Sequence, residues 1–201
     1  MHPSQKLLHT LKYSPSKFSG QVDRFETLFQ TSPDPWGFSQ SPFEQRRFAA
    51  LLNLAQTIPH DTILELGCAE GHFTKLLAQL SQHLTAVDIS PTAVAQAKKL
   101  VPTARYHVGN FTSLPAIMSP SFNLTVASEV LYYSPPQVIT PFLKRLHTRH
   151  LLTSNSFGLH LSIERQLQQS GFYRLSRRFL FTVEGLYPKA TVISLWEKHR
   201  S

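Results

Sequence analysis

The chain has 201 residues, of which 41% are hydrophobic and 16% charged, and its formal net charge is +8. This composition fits one globular domain with a closed core and excludes a disordered chain. No apolar run approaches the roughly 18 residues that span a bilayer, the N-terminal residues lack a secretory signal pattern, and the single cysteine cannot form an internal disulfide, so we expect a cytoplasmic protein without membrane contact.

The first part of the chain predicts a helical cap. Residues 21–30 show a short helical pattern, residues 32–38 are an ordered turn-rich loop, and Ser41-Pro42-Phe43-Glu44 forms a capping box that starts a helix ending before Pro59. We expect residues 1–58 to form a cap or lid segment and residues 59–201 to form the core of one structural domain.

From Thr62 onward, strand and helix patterns alternate. The predicted strands are Thr62–Leu66, Leu84–Asp88, Tyr106–Val108, Phe122–Ala127, a weak His150–Thr153, and a final pair, Phe179–Val183 and Thr191–Trp196. The predicted helices are one that buries Phe73, Leu76, Leu77 and Leu80, one capped by Ser90-Pro91 that buries Val94, Ala97 and Leu100, and two more at Gln137–Leu146 and Leu159–Gln169. These βα units predict an α/β, Rossmann-like three-layer sandwich with a mostly parallel seven-stranded sheet, in which ligands bind beyond the carboxyl ends of the strands.

The turn after the first strand is the most informative segment. It begins after Glu65, and its small residues leave room for a ligand against bare backbone: Gly67, Cys68, Ala69 and Gly71. A dinucleotide fingerprint would need a glycine at His72, and a P-loop would need a lysine. The acid at Glu65 would repel a pyrophosphate but suits an ammonium group.

A second acid, Asp88, ends the next strand. Its separation from the turn is that of an acid accepting hydrogen bonds from ribose hydroxyls in βαβ nucleotide sites. The alternative is that Asp88 caps the following helix. Because Ser90-Pro91 already supplies that start, we favour the ligand role. The neighbouring Ile89 is placed to pack on an adenine face.

Together these features resemble the class I S-adenosylmethionine-dependent methyltransferases, whose first motif is E/D-x-G-x-G-x-G, with Ala69 here in place of the middle glycine. The stretch from Phe122 to Tyr133 also resembles the fourth strand of that family. The resemblance implies S-adenosylmethionine as cofactor, with Asn110 accepting from the adenine amino group. The implied cofactor-binding residues are Glu65, Gly67, Cys68, Ala69, Gly71, Asp88, Ile89, Asn110, Phe111, Ser128 and Trp36.

Within that class the chain most resembles the nodulation-type, NodS-like N-methyltransferases. The resemblance is carried by Asp34-Pro35-Trp36-Gly37, residues 43–47, Gly67-Cys68-Ala69 and residues 129–133. Beyond Ser134 it thins, and the region before the fifth strand lacks the usual proline-glycine-glycine entry.

The candidate catalytic residues follow the fourth strand. Glu129 could attract a substrate ammonium or take its proton, or instead make a structural hydrogen bond to the first-motif turn. Tyr132 and Tyr133 are expected to wall the acceptor pocket, one of them belonging mainly to the core. Trp36 forms either a lid over the cofactor or an anchor for the N-terminal helix.

We therefore expect a methyltransferase acting on a small molecule, with an amine nitrogen as acceptor on the basis of the branch resemblance. One alternative is an RNA or protein methyltransferase recruited by the basic surface, although no nucleic-acid-binding motif favours it. Another is a non-catalytic cofactor-binding relative. The histidines show no metal-binding spacing, so no metal is expected, and the chain is expected to be a monomer or homodimer.

Overall fold

The structure is a computed structural model, which describes residues 21–117, 119–184 and 187–199. The strands are β1 Thr62–Leu66, β2 His83–Asp88, β3 Arg105–Val108, β4 Phe122–Ser128, β5 Thr148–Ser156, β6 Phe172–Glu184 and β7 Tyr187–Lys198. The helices are α1 Gln21–Thr31, α2 Pro42–Ala55, α3 His72–Leu77, α4 Pro91–Leu100, α5 Pro136–Arg145 and α6 His160–Gln169. Short 3-10 turns lie at Phe111–Ser113, Pro115–Ile117 and Leu131–Tyr133.

The strands of the described ranges form one seven-stranded sheet in the order β3-β2-β1-β4-β5-β7-β6. The first five strands in sheet order are parallel, whereas β7 runs antiparallel to both β5 and β6. The predicted α/β sandwich with a mostly parallel seven-stranded sheet is therefore confirmed.

Alternating side chains of the central strands serve the two faces of the sheet. On one face, Ile63 belongs to a buried cluster with Leu51 of α2 and Leu77 of α3. On the other face, Leu64 belongs to a cluster with Phe142 of α5 and Leu167 of α6. The connection after β1 thus covers one face and that after β4 the other, which makes the β1–β4 junction the switch point where open α/β sheets bind ligands.

Two predicted helix starts are confirmed. Ser41 accepts a hydrogen bond from the Glu44 amide at 3.4 Å at the start of α2, and Ser90 accepts one from the Ala93 amide at 3.1 Å at the start of α4. Leu100 was expected to face inward, and this is wrong: its side chain is 40% exposed, because it is the last residue of α4 and turns away from the sheet.

Several element bounds differ from expectation. Helix α3 ends at Leu77, so Leu80 packs on the core from beyond the helix. The fifth strand spans nine residues, since it is paired on both sides, by β4 and by β7. The last two strands are longer than predicted, with 13 residues in β6 and 12 in β7.

Helix α1 is fastened to the start of α4. The Glu26 carboxylate accepts hydrogen bonds from Ser90 Oγ at 2.6 Å and from the Thr92 amide at 3.2 Å. The part of the expected cap before Gln21 lies outside the described residues. Within the described ranges, the helices are all too short or too polar to cross a membrane.

Candidate functional site

The turn between β1 and α3 is held in an unusual backbone conformation. Gly67, Ala69 and Gly71 have positive φ values of 74°, 49° and 94°. A Cβ at Gly67 would lie 2.7 Å from Val130 Cγ2, and one at Gly71 would lie 2.9 Å from the Ala97 Cα. Small residues are therefore required at both ends of the turn, while Ala69 adopts a conformation that costs a non-glycine residue about 1–2 kcal/mol.

Asp88 fastens this turn to β2. Its Oδ2 accepts from the Ala69 amide at 2.9 Å and its Oδ1 accepts from the Ser90 amide at 3.0 Å. Although Ser90 caps α4, Asp88 has local partners of its own, because the positive φ of Ala69 turns an amide toward the carboxylate. Each carboxylate oxygen can accept a further hydrogen bond, and the half-buried side chain borders a cavity. Burial raises the pKa of Asp88.

Glu65 points to the α3 side of the sheet. Its side chain is 3% exposed, and its Oε2 accepts from Thr74 Oγ1 at 2.6 Å. Burial raises the pKa of Glu65 to about 8, with a further contribution from the charge of Asp88. The carboxyl is therefore mostly protonated at neutral pH when no cation is near it.

A cavity of about 870 Å³, open to solvent, lies beyond the carboxyl ends of β1, β2 and β4. It brings together most of the expected site residues: Gly67, Ala69, Asp88, Ile89, Asn110, Phe111, Ser128, Glu129, Tyr132, Tyr133 and Trp36. Glu65 and Cys68 do not line it. They line a smaller adjoining pocket of about 270 Å³.

Asn110 and Ile89 make local contacts at the cavity wall. The Asn110 Oδ1 accepts from the amide of Thr112 at 3.0 Å and from its hydroxyl at 2.8 Å, and thereby caps a 3-10 turn. Ile89 packs against the cluster formed by Phe25 and Leu28 of α1. The carbonyl oxygen expected to face an adenine amino group thus already has two donors.

Trp36 lies between helix α1 and the cavity. Its ring lies 5.1 Å from Phe29 and 6.4 Å from Phe25 of α1, and stacks on Phe38 at 5.7 Å. It also lines the cavity, as do these three phenylalanines. The loop before α2 therefore anchors α1 and closes one side of the cavity with aromatic faces.

Glu129 is held from three directions. Its carboxylate accepts from Tyr132 Oη at 2.7 Å, Ser156 Oγ at 3.0 Å and Thr191 Oγ1 at 2.7 Å. Its φ is 56°, a strained value for a side chain of this size and one that recurs at functional sites. Its donors come from the segment after β4 and from β5 and β7, and the expected alternative of a hydrogen bond to the first turn is not among these contacts.

The two tyrosines differ in burial. Tyr132 is 3% exposed, and burial raises its pKa well above the ordinary value, so its hydroxyl acts as a donor. Tyr133 is half-buried and meets Phe25 edge to face at 5.1 Å. Tyr132 is thus the core member of the pair, and Tyr133 connects the segment after β4 to α1.

Arg47 is a site residue that the sequence interpretation missed. It is 2% exposed, its Nε donates to Glu44 Oε2 at 2.7 Å, and its guanidinium donates to Ser128 Oγ and, at 3.2 Å, to Ser154 Oγ. It borders both the cavity and the smaller pocket. Its signals were its place in residues 43–47, which carry the branch resemblance, and its position one helical turn after the acid of the capping box, a spacing that is also common on solvated helices.

Solved structures of other proteins share this fold. A structure of the N-methyltransferase NodS from Bradyrhizobium japonicum in complex with S-adenosyl-L-homocysteine superposes with a TM-score of 0.77 at 21% identity, covering 90% of this chain and 100% of that one. The fold is therefore the Rossmann-like methyltransferase fold.

Matches in sequence cover a smaller part of the chain than the structural match does. The family model of nodulation protein S matches residues 25–140. Nodulation protein S of Bradyrhizobium diazoefficiens is 38% identical over 104 residues, which are 50% of this chain and 49% of that protein. The corresponding protein of Sinorhizobium fredii is 33% identical over 118 residues, 56% of this chain and 54% of that protein. The chain belongs to the NodS family, and it spans about half the length of the curated relatives that it matches.

Proposed function

We propose that this chain is an S-adenosylmethionine-dependent methyltransferase that acts on an amine nitrogen of a small molecule. The observation that carries the proposal is the cavity at the β1–β4 junction, which is bordered by the glycine turn and Asp88 on one side and by Glu129 and aromatic rings on the other. Family membership and the relative described as an N-methyltransferase with bound S-adenosyl-L-homocysteine support the same reaction class.

The residues present fit the proposed cofactor. In the larger cavity, Asp88 would accept from ribose hydroxyls while Ile89 and Asn110 border the adenine. In the smaller pocket, Glu65 would face the methionyl ammonium and Arg47 the methionyl carboxylate. When bound, S-adenosylmethionine supplies an electrophilic methyl group on a sulfonium.

The charge of the cavity favours a cationic acceptor. Three acids border it, Glu44, Asp88 and Glu129, and among the described residues that line it Arg47 is the one side chain with a permanent positive charge. Arg47 is itself paired with Glu44. A lining of carboxylates and aromatic rings attracts ammonium groups and disfavours phosphates, which supports an amine over a nucleic acid.

Glu129 is proposed as the residue that holds the acceptor. Its three hydroxyl donors fix the carboxylate in place, so it can bind an amine N–H without reorganising. Orientation of this kind can contribute roughly 7–11 kcal/mol to a bimolecular transfer. The aromatic wall of Trp36 and Tyr133 would exclude water from the amine. Tyr132 serves as a donor that positions Glu129.

The first test is calorimetry with S-adenosyl-L-homocysteine. Asp88→Ala should weaken binding at least tenfold, about 1.4 kcal/mol, whereas Asp61→Ala, at an exposed acid before β1, should leave affinity unchanged. If Asp88→Ala binds as the wild type does, the placement of the ribose is wrong.

The second test separates the acceptor from the cofactor. With radiolabelled S-adenosylmethionine and a pool of small amines, Glu129→Gln should raise the KM for the amine at least tenfold and leave S-adenosyl-L-homocysteine affinity intact. Methyl incorporation into RNA or protein, with none into amines, would instead support the alternative of a macromolecular acceptor. Tight cofactor binding with no transfer at all would identify a non-catalytic relative.

We also propose how the chain is organised and where it is located. Residues 1–58 are proposed to act as a cap over the cavity, residues 59–201 as the core, and the protein as a cytoplasmic monomer or homodimer. The fastening of α1 to α4 through Glu26 supports the cap. The buried free thiol of Cys68 suits a reducing compartment.

A further inference from the structure

Three potential metal-ligating side chains meet outside the proposed catalytic centre. Asp34 comes from the loop before α2, Glu70 from the turn after β1, and His72 from the first position of α3. One ligand atom from each lies within 4.8 Å of the others, and His72 Nε2 is 3.9 Å from Glu70 Oε1. The cluster joins the loop that carries Trp36 to the turn that carries Ala69.

Glu70 is the unusual member of this cluster. Its side chain is 4% exposed, and neither carboxyl oxygen has a hydrogen-bond partner among the described residues. An unsatisfied buried polar group of this kind costs about 1–3 kcal/mol, and more when it is charged. A neutral Glu70 can share its proton with the Asp34 carboxylate, whereas a cation held between the two groups would satisfy both oxygens of an ionised Glu70.

Asp34 is already arranged as an anionic ligand. Its Oδ1 accepts from the Phe38 amide at 2.7 Å, and its Oδ2 accepts from the amide and hydroxyl of Ser39 at 3.0 and 2.6 Å. Hydrogen bonds of this kind orient the carboxylates that bind metal ions in proteins.

We propose that Asp34, Glu70 and His72 bind a divalent transition metal ion of the zinc class. One imidazole nitrogen and two carboxylate oxygens suit Zn²⁺ or Mn²⁺, whereas Mg²⁺ prefers oxygen ligands and retained water. In a tetrahedral site with zinc bonds of about 2.0–2.2 Å, two ligand atoms lie about 3.3–3.6 Å apart. The ligand atoms, now within 4.8 Å of one another, therefore need to approach by up to about 1.5 Å, and His72 is 30% exposed.

The ion would have a structural role. Three protein ligands would tie the loop before α2 to the turn after β1, and an open fourth position would hold water. Because Asp34 lies two residues before Trp36, the ion would fix the aromatic side of the cavity. The site does not depend on the proposed cofactor, and it departs from the expectation drawn from histidine spacing because its ligands come from separate segments.

The test uses the full chain, stripped with a chelator and titrated with ZnCl₂, MnCl₂ and MgCl₂ by calorimetry, with no cofactor present. We expect one Zn²⁺ per chain with a micromolar or lower Kd, Mg²⁺ at least 100-fold weaker, and a higher melting temperature with zinc. The Glu70→Gln variant keeps the shape of the side chain and should weaken zinc at least 30-fold.

Matched controls separate this site from other histidines. His72→Gln should weaken zinc to a similar degree, whereas His83→Gln, at an exposed position in β2, should not. Circular dichroism checks that each variant is folded, and Asp34→Asn provides a second carboxylate variant. Zinc binding that is weaker than millimolar, or equal in the wild type and Glu70→Gln, overturns the proposal.

Discussion

Glu65 and Asp88 flank the same turn but are satisfied in different ways. Asp88 accepts two backbone amides, whereas Glu65 has one hydroxyl donor, Thr74. Amides held in place stabilise an ionised carboxylate, while a single hydroxyl in a fully buried position does not offset the loss of hydration. Burial raises the pKa of both acids, but in Asp88 the amide hydrogen bonds oppose that rise, whereas the pKa of Glu65 reaches about 8.

Cofactor binding at pH 7 is expected to release a proton from Glu65. The group has a pKa of about 8 in the free protein, and a methionyl ammonium beside it would favour the ionised form. Calorimetry with S-adenosyl-L-homocysteine in phosphate and in Tris should give different binding enthalpies. For one released proton, the difference equals that between the ionisation enthalpies of the two buffers. Glu65→Gln should abolish the difference. Equal enthalpies for the wild type would place the ammonium elsewhere.

The turn itself gives a matched pair of substitutions. Gly71 and Gly37 both have positive φ, at 94° and 69°, but a Cβ at Gly37 meets no atom within 4 Å. Gly37→Ala should cost about 1–2 kcal/mol in conformational strain. Gly71→Ala should cost about 1–3 kcal/mol more, because its Cβ collides with the Ala97 backbone. Urea unfolding measures both, and equal losses would indicate that α4 shifts away without cost.

At the scale of elements, Glu26 adds hydrogen bonds to the start of α4 to the packing of Phe25 and Leu28 that also holds α1. Hydrogen bonds from Ser90 and Thr92 lower the pKa of Glu26, so the contact is complete above the ordinary value of 4.5 and is lost as the pH falls through the lowered value. Because the acid lies at the start of α4, the helix dipole also favours its charge.

Glu26→Gln is expected to loosen α1 without unfolding the core. Amide hydrogen exchange in α1 should become at least tenfold faster at pH 7, whereas exchange in β1 and β4 should be unchanged. Asp23→Asn removes an exposed acid from the same helix and should have little effect. Faster exchange throughout the sheet would show that α1 belongs to the cooperative core.

The sequence patterns predicted elements well where local chemistry sets the bounds. β1 begins and ends where expected, because a short apolar run is followed directly by a glycine turn. The start of β6 was missed because the strand contains a register shift between Arg174 and Ser176. That irregularity breaks the alternation on which strand assignment depends, and pairing with β7 maintains the strand nevertheless.

The site was predictable as a set of segments but not as a set of contacts. Motif spacing located Asp88, whereas its bond to the Ala69 amide depends on a positive φ at an alanine. Arg47 and Glu70 are charged residues whose burial comes from packing between distant segments. Sequence periodicity reports which face of an element is apolar, and it carries no signal for a charge enclosed by other elements.

At the scale of the whole molecule, the sheet order explains why Glu65 is so strongly perturbed. β1 lies between β2 and β4, and α2 and α3 cover the face from which Glu65 projects. Its loss of hydration therefore requires the assembled sandwich. In the unfolded chain the carboxyl returns to its ordinary pKa, which links its titration to global folding.

This linkage predicts that stability falls as pH rises. The pKa of Glu65 is about 8 when folded and near 4.5 otherwise, so between these values the folded state holds more protons and loses up to about 1.4 kcal/mol per pH unit from this group. Below pH 4.5 Glu65 makes its full contribution to the free energy of unfolding. Above about pH 8 that contribution stops falling.

Comparison with Glu65→Gln isolates this effect from other titrations. The amide stays neutral, so the variant should lose less stability than the wild type between pH 5.5 and 8.5, and the gap between the two should widen steadily across that range. Urea unfolding at half-unit steps, with a chelator present to keep metal ions away from Glu70, measures both slopes. Parallel slopes would mean that Glu65 ionises normally in the folded protein. The turn would then present a permanent negative charge to its ligand, and cofactor binding would release no proton from it.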